Sequence, residues 1–182
     1  MKKLIVFIAE GFEEIEALTV VDILRRAGVT VTLCSLKNDL VKGAHNVLIK
    51  TDIMIDNLVF EDYDAIYLPG GLPGAYNLRD DNRVIEIIKN FNEKKKLIYA
   101  ICAAPVVLSK AGITEDKVIT SYPGFDKEIK CKKYSEEIFV KDGNITTSRG
   151  PATAMPFAYE ILRQLGLEKE SKELRKGMLF DK

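Results

Sequence analysis

The chain predicts an α/β domain built on a doubly wound, mostly parallel sheet with helices on both faces. Short β-branched runs alternate with stretches of helical apolar periodicity from one end to the other. No Pro/Gly/Ser-rich linker interrupts them. A chain of 182 residues suits a single domain spanning residues 1–182, a size that buries roughly 70% of its unfolded surface.

The apolar run Lys3–Ala9 reads as the first strand, and the pattern Glu13–Ala27 as the first helix, with Gly28 following as its C-cap. Strands follow at Val29–Ser35 and Ala65–Leu68, with a small hairpin or edge excursion expected at Val47–Ile55. Helical spacing over Asn82–Lys95 leads into the strand Leu97–Ile101 and the helix Ala103–Lys110. Strands at Val118–Thr120 and Asn144–Thr147 come next, with Asp142-Gly143 as a hairpin-turn signal. Helices at Ala152–Leu165, followed by Gly166, and at Glu168–Arg175 complete the chain.

Twenty-seven basic and 27 acidic side chains cancel, and no like-charge block exceeds Lys94-Lys95-Lys96. This balance predicts neither a nucleic-acid nor an anionic-membrane partner. The run Leu4–Ala9 is too short for a signal-peptide core or a membrane span. Cys34, Cys102 and Cys131 form no CxxC pair, and His45 is the sole histidine. The expectation is a cytoplasmic, reduced protein without a metal site or cofactor.

In a doubly wound sheet, ligands bind beyond the carboxyl ends of the strands. The segments there are Glu10–Glu16, Pro69-Gly70-Gly71 and Cys102-Ala103-Ala104. Cys102 stands between the strand Leu97–Ile101 and a helix opened by Pro105, so the chain must turn sharply there as a nucleophile elbow. A thiol at a helix N-terminus is expected to have a lowered pKa. Glu16 shares a helical stripe with Val20, Ile23 and Ala27. Desolvation along that stripe would raise its pKa and suit it to donate or shuttle a proton. Glu13 and Glu14 read as first-turn residues that favour the helix dipole. Consecutive glycines at Gly70 and Gly71 let backbone N–H groups approach an oxyanion.

These segments resemble the ThiJ/PfpI superfamily. The likeness is carried by Ala9-Glu10-Gly11-Phe12-Glu13-Glu14-Ile15-Glu16, Leu68-Pro69-Gly70-Gly71, Ala100-Ile101-Cys102-Ala103-Ala104-Pro105 and Thr147-Ser148-Arg149-Gly150-Pro151. The branch most resembled is that of the Parkinson-disease protein deglycase and its small bacterial relatives. The resemblance implies a flavodoxin-like fold, a homodimer, an oxidisable nucleophile at Cys102 hydrogen-bonded to Glu16, and oxyanion donors at Gly71 and Ala103. It implies cofactor-free conversion of methylglyoxal to lactate, with glycated side chains as further substrates. The alternative is a redox sensor or chaperone working through oxidation of Cys102.

Several positions depart from family patterns. Ala103 stands where the protease-like branch has histidine, so no Cys–His dyad is evident and a cysteine hydrolase or amidase ranks lower. A thiazole-monophosphate role also ranks low, since no GxxxxGK[ST] loop is present. Tyr122 occupies a position that is histidine in some relatives, and His45 lies in a polar loop. Both are candidate substrate-pocket residues, with an exposed loop histidine the simpler reading of His45. Gly43 and Lys50 replace peroxide-sensitive cysteines of some relatives. Cys34 is expected in the core, and Cys131, among lysines, exposed and mildly activated.

Overall fold

The computed structural model describes residues 1–181. Eleven strands run β1 (Lys3–Ile8), β2 (Thr30–Ser35), β3 (Leu40–Lys42), β4 (Leu48–Lys50), β5 (Ile53–Met54), β6 (Ala65–Leu68), β7 (Leu97–Ile101), β8 (Val118–Ile119), β9 (Lys133–Tyr134), β10 (Phe139–Asp142) and β11 (Ile145–Ser148). The helices are α1 (Glu14–Arg26), α2 (Gly74–Arg79), α3 (Asn82–Glu93), α4 (Pro105–Lys110), α5 (Ala154–Gln164) and α6 (Glu168–Gly177).

Seven strands form the central sheet in the order β10-β11-β7-β6-β1-β2-β5, and only the β10–β11 pair is antiparallel. The chain leaves β1 for β2 on one side and returns to β6 on the other, so the order reverses at β1. This is the flavodoxin-like arrangement, with its switch point between β1 and β6.

The strands alternate their side chains between two cores. Ile5, Phe7, Ile66, Leu68, Ile98 and Ala100 pack with α3 and α4 on one face. Leu4, Val6, Ala65, Tyr67, Tyr99 and Ile101 pack with α1 and α5 on the other. Burial on both faces explains why these strands read as continuous apolar runs.

Two expected segments are found and take more definite places. The segment Val118–Thr120 contributes β8, which pairs with β9 in a separate ribbon. The place beside β11 is taken by β10, whose hairpin turns at Gly143 with φ 63°. The excursion expected at Val47–Ile55 divides, with a β3–β4 hairpin at residues 40–50 and β5 on the sheet edge. The six-residue helix α2 gave too short a periodicity to be read.

Candidate active site

Cys102 sits between β7 and α4 with φ 63°, a left-handed conformation uncommon for a side-chain-bearing residue. The elbow is held from both sides: its N–H donates to the Ser148 carbonyl (3.0 Å), and its carbonyl accepts from Tyr122 N–H (2.9 Å). Ser148 is fixed in turn, its hydroxyl donating to the Ile138 carbonyl (2.6 Å). The role of the Ser148 carbonyl was not legible beforehand, because the β11–β7 pairing that delivers it is non-local.

Glu16 lies in the first turn of α1 and is fully buried, in line with buried Val20 and Ile23. The Gly70 N–H donates to its Oε2 (2.8 Å), and the Tyr67 hydroxyl donates to its backbone carbonyl (2.9 Å). Its Oε1 has no hydrogen-bond partner, and the carboxyl lies beside the Cys102 thiol. A Cβ built on Gly70 would stand 2.7 Å from both Cys102 Cβ and Glu16 Oε2, so only glycine permits this close approach. Burial raises the Glu16 pKa to about 7, against the opposing pull of Cys102 and the Gly70 amide; the charge of Glu13 adds to the rise.

Backbone amides of Ala103 and Gly71 face the Cys102 sulfur and favour its anion. The Gly70 amide is committed to Glu16 and is not a third donor, which corrects that expectation. The expected lowering of the thiol pKa is also corrected. Burial, then the charge and hydrogen bonding of an ionised Glu16, push Cys102 up. Helix α4 has only six residues, so its dipole offsets little of this. The two rises due to Glu16 exist only while it is ionised. Once Glu16 carries the proton, it can donate to sulfur, and only burial still opposes the thiolate. The two groups therefore titrate as one pair.

The other candidates fall at different distances from this pair. Tyr122 adjoins it through the backbone and is 47% exposed, with its ring against Gly150. His45 Nδ1 is 2.9 Å from Glu14 Oε2 and 3.5 Å from Glu13 Oε2, and these carboxylates raise its pKa. Glu13 and Glu14 thus face the β3–β4 hairpin as well as opening α1. Cys34 is buried, its pKa raised to about 12 by burial. Cys131 is half-buried and raised by burial too, contrary to the expected activation.

A model of the DJ-1/PfpI family matches residues 2–164. The Drosophila melanogaster protein dj-1beta is 37% identical over 182 residues, covering 98% of this chain and 97% of the relative. The glutathione-independent glyoxalase DJR-1.2 of Caenorhabditis elegans is 32% identical, covering 98% of this chain and 96% of the relative. The solved structure of oxidised DJ-1 from Toxoplasma gondii superposes with a TM-score of 0.93 at 33% identity, covering 98% of each chain. The family match and these likenesses in sequence and structure over nearly the whole length place the chain in the DJ-1/PfpI family, in its DJ-1 branch.

Proposed function

We propose that the protein is a cysteine enzyme that converts reactive aldehydes, methylglyoxal first among them, with lactate as the product. The reading rests on one observation: a buried carboxyl with pKa about 7 beside a thiol whose sulfur meets two amides. The Caenorhabditis elegans relative, a glutathione-independent glyoxalase, supports it.

In this reading the Cys102 thiolate adds to the aldehyde carbon while Glu16 protonates the carbonyl oxygen, giving a hemithioacetal. Glu16, now ionised, removes the proton on that carbon and an enediol forms. Reprotonation at the neighbouring carbon gives a thioester, and water releases lactate and the thiol. The Gly71 and Ala103 amides stabilise the negative charge that develops on oxygen. Glycated side chains present related aldehyde chemistry and are proposed as further substrates. Lactate formation from methylglyoxal by the reduced protein should vanish in Cys102→Ser and in Glu16→Gln. Undiminished turnover in either variant would exclude the mechanism.

A second reading, redox sensing through Cys102, is favoured by the oxidised Toxoplasma gondii relative. Mild peroxide should then add two oxygens at Cys102, with the protonated Glu16 donating to the sulfinate. We propose further that the protein works in the cytoplasm as a homodimer. Sedimentation should then report about twice the chain mass of 20.4 kDa.

A further inference from the structure

The first turn of α1 and the β3–β4 hairpin bring together a second cluster that uses neither Cys102 nor Glu16. Glu13, Glu14 and His45 each offer one ligand atom, and these atoms all lie within 4.8 Å of one another. His45 Nδ1 is 2.9 Å from Glu14 Oε2 and 3.5 Å from Glu13 Oε2. Two neighbouring ligands bound at ~2.1 Å to one ion stand ~3.0 Å apart in octahedral geometry and ~3.4 Å apart in tetrahedral geometry. Both His45 separations are close to these values, the shorter being the Glu14–His45 hydrogen bond that an ion would replace.

The surroundings are those of a built site. The Glu13 and Glu14 side chains are only 12% and 9% exposed, while His45 is 70% exposed. Buried Glu14 and half-buried Glu13 would therefore hold an ion from below, with its other positions open to water. Glu14 Oε1 accepts from the His45 amide (2.7 Å) and the Val47 amide (3.3 Å), which orients the carboxylate as an outer shell orients a metal ligand. Gly43 makes the room: a Cβ there would stand 2.3 Å from Glu14 Oε1. Among the described residues, His45 is the one ion-pair partner of Glu13. Two carboxylates against one imidazole leave negative charge uncompensated even when His45 is protonated.

We propose that Glu13, Glu14 and His45 form a binding site for a divalent transition ion of the zinc class. One imidazole nitrogen with two carboxylate oxygens suits such ions better than Mg²⁺ or Ca²⁺, and no thiolate takes part. Binding displaces the proton from His45 Nδ1 to solvent. The spacing of residues 13, 14 and 45 along the chain concealed this set, because the hairpin closes it only in the fold.

The test is calorimetric titration of Zn²⁺, with Mg²⁺ in parallel, into Cys102→Ser/Cys131→Ser protein. This background removes the accessible thiols and also the proposed lyase activity, so the two readings stand or fall separately. Saturable uptake of one Zn²⁺ per chain is expected. Adding His45→Asn or Glu13→Gln should each weaken binding at least about tenfold, with far-ultraviolet circular dichroism unchanged. No saturable Zn²⁺ uptake, equal affinity for Mg²⁺, or undiminished affinity in either added variant would overturn the assignment.

Discussion

Glu16 carries a carboxyl in a place where water cannot reach it, and that costs stability whenever the group is charged. Unfolded, it titrates near 4.5; folded, burial raises it to about 7. Between those values the folded chain keeps a proton that the unfolded chain has lost. The stability contribution of this group is therefore complete below pH 4.5 and lost as pH rises through 7. The shift corresponds to about 3 kcal/mol. Denaturant titrations of wild type and Glu16→Gln should show the wild type losing about that much relative to the variant between pH 4.5 and pH 8. A constant difference across the range would mean Glu16 is ionised throughout. The importance of Glu16 was legible from its apolar stripe. Its partnership with Cys102 came from the family resemblance alone, and its bond from Gly70 N–H was not legible at all, because that amide arrives after β6 through a pairing that no local periodicity encodes.

At the scale of elements, the elbow and the loop after β6 do the positioning. Gly71 has φ +87°, and a Cβ there would fall 2.3 Å from Glu13 N and 2.5 Å from Gly11 O. Gly143, at φ +63°, has no atom within 4 Å of its built Cβ. Both substitutions to alanine incur left-handed strain of about 1–2 kcal/mol, but only Gly71→Ala also forces two backbone segments apart. Thermal unfolding should therefore separate the pair, with Gly71→Ala losing at least about 2 kcal/mol more. Gly71→Ala should also slow alkylation of Cys102, since its amide faces that sulfur. Equal losses in the two variants would mean that the loop yields to the new methyl group. The turn at Asp142-Gly143 was readable from the dipeptide alone. The strand at β8 was read too, but its partner β9 was not, because a two-residue strand of Lys133-Tyr134 leaves no pattern.

Across the whole molecule, the alternation of β-branched runs with helical stripes was enough to predict the doubly wound sheet and the edge where the site lies. What escaped were the contacts at that edge between residues far apart in sequence: the Ser148 carbonyl at the Cys102 amide, and His45 at Glu13 and Glu14. The body of the molecule and the edge are joined through one aromatic cluster. Phe157, buried on α5, packs against Tyr67 (6.2 Å between centroids) and edge-on against Tyr99 (6.1 Å). Tyr67 in turn holds the Glu16 carbonyl. Phe157→Ala should cost about 3–5 kcal/mol, lowering the melting temperature by roughly 6–20 °C in a chain of this length. The elbow itself is fixed by Ser148 and Tyr122, neither of which depends on Phe157 for its hydrogen bond to Cys102. Below the transition, Cys102 alkylation should thus stay within about twofold of wild type, as for energetically independent positions. A rate change well beyond that, in protein still folded by circular dichroism, would mean that the core under the sheet tunes the Cys102–Glu16 pair through Tyr67.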